Sequence, residues 1–303
     1  MSSRSLRLSG KTTDKLFYAM LVLPALAITC VFIFWPVIDS VIKSFLEYKT
    51  KNVIQGRPGV WNDFKNYIKL FNNGKLLGAT THTLIFVTGV VVAQFIIGMT
   101  LAVILNRDFK GSRIVSSVMM TPWVVPTIVS ALIWLWIYQP QYGLLKYFVG
   151  ALGGPEDFAI LNNSQTALLG VGIAALWKQI PLMALLLLAG LQSVPGDMLE
   201  AATIDGASAP RRFFAIVIPY MKNVIKVTVS MSIIENFKQF PLFQVMTAGG
   251  PNEATTTLAI LSYREAFVSN NLGSGAAVTT YWMLLMIIVT VVYNRLFRAE
   301  DMD

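Results

Sequence analysis

The sequence contains one cysteine and one histidine in 303 residues. Cys30 lies inside an apolar run, so neither an intrachain disulfide nor a cysteine-cluster metal site can form. His82 alone cannot build a zinc site of two or three imidazoles, and at the mouth of an apolar run it reads as an interfacial side chain. Charge is also scarce. Charged residues make up 13% of the chain and apolar residues 55%, whereas a soluble domain carries about 25% charge. So little charge cannot cover a soluble surface, which excludes an ordinary soluble enzyme, and so much apolar content excludes disorder. The net charge of +8 is too thinly spread for a nucleic-acid-binding stripe. Gly10-Lys11-Thr12 looks like the end of a phosphate loop, but Ser5 stands where its first glycine belongs and no strand precedes it. The chain should therefore not hydrolyse ATP by itself. No nucleophile–base couple supports an intramembrane enzyme. A polytopic membrane protein remains.

Crossing a bilayer core of roughly 30 Å takes about 20 apolar helical residues. Six stretches qualify, at 16–38, 84–105, 114–138, 166–191, 224–246 and 276–294. Backbone groups in lipid must bond internally, so these should be helices in an all-α, six-span membrane bundle forming one domain over 1–303. The first is too long for a cleaved signal peptide and lacks a small-residue cleavage site. The fifth is the poorest, because Lys226, Glu235 and Lys238 interrupt it. Cytoplasmic termini would place twelve cations inside: Arg4, Arg7, Lys11 and Lys15 in the tail, then Arg107, Lys110, Arg113, Arg211, Arg212, Lys222, Arg295 and Arg298. Nine stay outside, seven of them in the loop at 41–81, where the charge bias is weaker than in short loops. Both termini are thus expected in the cytoplasm. In that outer loop Trp61, Phe64, Tyr67, Ile68 and Phe71 recur at helical spacing. The pattern suits a short helix at the membrane interface or one packed on the bundle.

Charges inside spans cost roughly 2.5–3.5 kcal/mol at mid-bilayer and so call for a reason. The fourth span carries Lys178 and Gln179 ahead of Pro181; the fifth carries Glu235, Asn236, Lys238 and Gln239 ahead of Pro241. Glu235, Asn236 and Gln239 fall within about one helical turn and can share a face. Two readings stand: these residues line a wet cavity, or Lys178 and Glu235 form an ion pair that locks two helices.

The long cytoplasmic loop at 195–219 begins Pro195-Gly196-Asp197 and continues Glu200-Ala201-Ala202-Thr203-Ile204-Asp205-Gly206-Ala207. An acid in the first turn favours a helix start, the small residues allow close approach of a partner surface, and Pro210 should separate two short helices. The loop ends Ile216-Val217-Ile218-Pro219.

This stretch resembles the EAA loop of binding-protein-dependent ABC importer permeases: Glu200, Ala201, Ala202 and Gly206 match, and Ile218 replaces a leucine before Pro219. Thr121-Pro122-Trp123-Val124-Val125-Pro126, Trp134-Leu135-Trp136 and Gln139-Pro140-Gln141-Tyr142-Gly143 are similar to the third span and following turn of the carbohydrate-type members. Met246-Thr247-Ala248-Gly249-Gly250-Pro251 resembles a signature of the maltose- or glycerol-phosphate-like first permease, with Ala248 where many members have glycine. The short first outer loop lacks the large extra domain of some maltose permeases. The resemblance implies the ABC type I importer permease fold in the bacterial inner membrane. It implies a heterodimer with a second, different permease, two ATP-binding cassette subunits beneath, and a periplasmic or lipid-anchored solute-binding protein. ATP and Mg belong to those ATPase subunits, and no cofactor or metal is expected in this chain. Glu200, Ala201, Ala202, Asp205, Gly206, Ala207 and Pro219 would then couple to the ATPase. Sugar-contact positions of the maltose importer map onto Glu235, Asn236 and Gln239 and onto Gln179 and Leu182, with Lys178 adjacent. Glu235 and Leu182 replace aromatic residues there, which argues against maltose itself.

The implied substrate is a sugar, oligosaccharide or polyol. Lys178 leaves room for glycerol 3-phosphate or another anionic derivative, which Glu235 opposes. A proton-coupled carrier using Glu235 is a rival of another class, but it needs no EAA loop and usually shows two repeated halves, which are absent here.

Overall fold

The computed structural model describes residues 10–297 except 108, 156 and 157. Arg4, Ser5, Arg7 and Arg298 lie outside the described residues, as do the side chains of Lys11, Lys15 and Arg113. Among the described residues four helices are long and apolar enough to span a membrane: α1 (Phe17–Ser44), α3 (Lys75–Leu105), α7 (Ala167–Gln192) and α13 (Leu272–Leu296). Between α1 and α3 the two-residue strands β1 (Leu46–Glu47) and β2 (Val60–Trp61) pair antiparallel, followed by α2 (Lys65–Asn72).

Two expected spans are broken rather than straight. The third consists of α4 (Ile114–Val124) and α5 (Thr127–Ile137), which meet at 95°. Pro126 causes the break: it has no N–H, and it pushes Val125 into an extended conformation at ψ 132°. After α6 (Leu144–Ala151), α7, and α8 (Gly196–Ile204), the fifth crossing comprises α9 (Ala209–Tyr220) and α10 (Lys222–Phe237), bent by 71°. That bend, at Met221, precedes the expected run at 224–246, which is itself interrupted at 238–240. It stops at Phe237 and resumes as α11 (Pro241–Met246), whose first residue has no N–H with which to continue the helical bonding. Before α13 comes α12 (Leu258–Tyr263), which continues into a π-helical turn over Arg264–Val268.

The remaining spans differ from expectation only at their ends. α1 runs past residue 38 because Lys43 pairs with Asp39 one turn earlier. α3 starts at Lys75, not 84. Its polar first turns remain helical because Thr80, Thr81 and Thr83 return their hydroxyls to the carbonyls of Leu76, Leu77 and Ala79.

α3 and α7 form the spine and run parallel. Gly172 faces Val90, and Gly98 lies against Met183, where an added Cβ would come within 2.6 Å of the methionine side chain. A larger residue at 98 would force the helices apart. Apolar clusters fill the bundle along its length. Met99, Ala102, Met183, Leu187 and Met221 pack at the end carrying α8. Leu70, Leu76, Leu258, Leu261 and Val278 pack at the opposite end. None of the apolar span of α1 is buried within the chain, although its last part, Trp35–Ser44, runs against α13.

Candidate functional site

The break at Pro126 and the interruption at 238–240 border a cavity of about 520 Å³ between the third, fourth and fifth spans. Trp123 and Thr127 flank its mouth at the α4–α5 break, while α7 contributes Lys178, Gln179 and Leu182. From α10 and the residues after it come Glu235, Lys238 and Gln239. Asn236 is not on that wall. It is 2% exposed and turned into the helix interface, so the shared face expected for Glu235, Asn236 and Gln239 is split.

The Lys178–Glu235 ion pair, one of the two readings of these charges, is absent among the described residues. Glu235 pairs with Lys238 at 2.8 Å. Lys178 instead donates from Nζ to the carbonyls of Trp123 and Val125, at the break itself. Pro126 deprives this turn of helical N–H donors, and the ammonium takes their place.

Behind the wall, Gln179 and Asn236 exchange side-chain amide bonds of 3.0 and 3.2 Å. Gln94, which the sequence reading overlooked, completes the network. It donates to the Gln179 carbonyl at 3.2 Å and accepts from the Ser232 hydroxyl at 2.8 Å. Three spans are thereby fixed in one register, and each of these side-chain amides has partners within the protein. A buried amide in the middle of an apolar 31-residue helix was the signal available in the sequence.

The loop beyond α7 forms the expected pair of short helices. Gly206 has φ +79° and ends α8: its N–H bonds the Thr203 carbonyl and the Ala207 N–H bonds that of Ala202. This is a helix-terminating turn that only glycine enters without strain. The glycine thus has a conformational reason in addition to the close approach expected of it. Arg212 holds the turn by donating to the Ala207 carbonyl at 2.9 Å. Ala202 faces inward, whereas Glu200, Ala201, Asp205 and Gly206 are exposed and Ala207 is half-buried. Pro219 lies at the far end of α9 and is exposed. Met198 and Ile204 also stand out from α8, Ile204 with 87% of its surface open.

At the opposite end, the loop 246–251 is tied down by its neighbours. Ala248 has φ +46°, the conformation in which glycine would be unstrained. Arg264 grips its carbonyl at 2.6 Å, and His82 donates from Nδ1 to the Thr256 carbonyl at 3.2 Å, a bracing role rather than a catalytic one.

Residues 94–300 match the family model described as binding-protein-dependent transport system inner membrane component. The chain belongs to that family. Relatives of this inner membrane component include the sn-glycerol-3-phosphate transport system permease protein UgpA of Yersinia enterocolitica. It is 36% identical, with 93% of this chain and 94% of that one covered. The trehalose/maltose transport system permease protein MalF of Thermococcus litoralis is 34% identical, with 94% of each covered. Among solved structures, a bacterial alginate ABC transporter in complex with an alginate pentasaccharide-bound periplasmic protein has a chain with the same fold. The TM-score is 0.80 at 17% identity, over 95% of this chain and 96% of that one. Membership in a binding-protein-dependent family sets the proton-coupled carrier aside. For this inner membrane component, Glu235 sits in a cavity wall and is charge-compensated by its own neighbour.

Proposed function

We propose that this inner membrane component forms half of the translocation path of an ATP-driven importer for a carbohydrate or polyol. The observation that carries the reading is the cavity at mid-membrane. It offers Glu235, Lys238 and Gln239 beside an apolar wall of Trp123 and Leu182, with the Gln179–Asn236 amide pair behind them, a mixture that suits hydroxyls on an apolar ring. The open side of the cavity is closed by a second, different permease. Two ATPase subunits, which bind ATP and Mg, grip α8 through Met198, Ala201, Ile204 and Asp205, with Glu200 at its rim. A solute-binding protein, periplasmic or lipid-anchored, delivers the sugar at the opposite end, and both termini lie in the cytoplasm with α8. ATP-driven closure would pull α8 and swing α9 and α10 about the 71° bend, exchanging the open side of the cavity.

A second reading, glycerol 3-phosphate or another anionic sugar derivative, gains from one observation. Lys238 neutralises Glu235, so the carboxylate no longer opposes an anion. Reconstitution of the chain with its co-purifying subunits, and uptake of the ligand recovered from the binding protein, tests the proposal and separates the two. Uptake should need ATP and every subunit. Glu235→Gln should lower the maximal rate about tenfold with little change in half-saturation, as for a contact realised during passage. Uptake without ATP, or by this chain alone, would contradict it.

A further inference from the structure

The end of the bundle opposite α8 holds a second polar pocket, far from the cavity. It has a volume of about 290 Å³ and lies where the start of α13 meets α2 and the start of α3. Lys49, Lys69, Lys75, Asn73, Asn271 and Ser269 face it. Its amide oxygens are taken and its one carboxylate is paired. The Asn73 side-chain oxygen accepts from the Lys75 backbone at 3.1 Å, the Asn271 oxygen accepts from the Ser274 backbone at 3.1 Å, and Glu265 holds the Lys75 ammonium at 3.1 Å. Its donors are not. Among the described residues the Lys69 ammonium, the two asparagine NH₂ groups and the Ser269 hydroxyl make no hydrogen bond, while Lys49 has only the exposed Glu47 beside it at 2.8 Å. A pocket with its amide oxygens and carboxylate engaged and idle cationic and amide donors is complementary to an oxyanion.

The flank of this pocket indicates what carries that anion. On α2, Asn66 and Leu70 face the bundle. Phe64, Ile68 and Phe71 are exposed along one edge and Lys65 and Lys69 along the other. Phe71 packs edge-on against Tyr281 at 5.9 Å, further along α13 than the pocket at its start. The apolar edge therefore points into the depth of the membrane and the basic edge toward its surface, the disposition of an interfacial helix. The other reading from the sequence, a face packed on the bundle, holds in part: Tyr67 joins the apolar cluster there and Phe71 meets Tyr281, while Phe64, Ile68 and Phe71 each keep a large exposed surface. Trp61 is not part of the helix at all: it lies in β2 and stacks on Phe45.

We propose that this pocket binds the phosphate group of an anionic membrane lipid in the leaflet at this end of the bundle. Lys69 and Lys49 would meet the phosphate while the acyl chains run past Ile68 and Phe71. Lysines near an anionic surface each add to such binding, and the site accounts for cations concentrated in the 41–81 loop, where the topology bias alone does not place them.

The test uses the full chain in phosphatidylcholine vesicles or mixed micelles, with and without phosphatidylglycerol. Retained lipid is counted by native mass spectrometry and thermal midpoints are recorded. Wild type should retain phosphatidylglycerol at least about tenfold over phosphatidylcholine and be stabilised by it. Lys49→Gln with Lys69→Gln should lose that preference, while Lys51→Gln with Lys65→Gln, equal in charge but outside the pocket, should keep it. Inorganic phosphate should displace the lipid weakly and give no comparable stabilisation. Equal retention by both double variants would overturn the site. Phosphate matching phosphatidylglycerol in stabilisation would overturn the lipid as its source. The readout is binding, so the result is independent of whether the chain carries sugar.

Discussion

Gly206→Trp is expected to abolish ATP-driven uptake while the protein still inserts and keeps its thermal midpoint within a few degrees. A Cβ at this position meets nothing within 4 Å, so the indole would project from the loop and leave the bundle undisturbed. Where a partner surface closes over α8, however, the same indole would fill the contact. Losing a central docking contact costs at least about 2 kcal/mol, or roughly thirtyfold in the coupled rate. Backbone strain has to be separated from bulk, because φ +79° is unfavourable to any side chain by about 1–2 kcal/mol. Gly206→Ala supplies that control: it carries the strain without the bulk and should retain most uptake. Equal loss in both variants would make the helix-ending turn, rather than the docking face, the important feature. Normal uptake in Gly206→Trp would remove α8 from the contact altogether.

Lys178→Met is expected to destabilise the protein and reduce uptake more than tenfold, and Glu235→Leu should not rescue it. The ammonium bonds the carbonyls of Trp123 and Val125 at the break in the third span. Without it the half-buried Val125 carbonyl loses its donor, at about 1–3 kcal/mol, and the more exposed Trp123 carbonyl loses a weaker one. An ammonium beside a wet cavity costs well under the roughly 2.5–3.5 kcal/mol of one in lipid, so its removal regains little. Lys178→Arg, which keeps several donors, should restore much of the stability. Thermal unfolding in detergent with parallel uptake assays decides the matter. Full recovery in the Lys178→Met, Glu235→Leu double variant would mean that the two charges pair with each other in the working protein.

Much of this architecture was legible in the chain because lipid imposes a simple rule on it. Apolar length gave the fourth span to within one residue at each end, 166–191 against Ala167–Gln192. The EAA-like stretch located the exposed short helix α8 and its terminating glycine. Hydropathy could not show the breaks. Val125-Pro126 is as apolar as its surroundings, so the run at 114–138 reads as continuous although proline geometry turns it by 95°. The partners of the cavity residues were hidden for the same reason. A lysine and a glutamate in adjacent spans look like a pair until the break supplies carbonyls to one and Lys238 presents itself, one turn away, to the other. Gln94 carried a signal, a lone amide in an apolar span, but only the packing of α3 against α7 and α10 shows what it holds.

The central claim is that the cavity between the third, fourth and fifth spans is the path itself and changes its open side with the nucleotide state. Leu182→Cys on a Cys30→Ser background places one thiol in that wall. Its labelling by a membrane-impermeant thiol reagent, applied from each side of vesicles carrying the assembled transporter, measures the claim directly. Labelling should come from the α8 side without ATP, switch to the opposite side when ATP is trapped by vanadate, and be slowed by the transported sugar. A thiol that reacts from neither side, or from the same side at the same rate in both nucleotide states, would contradict the account.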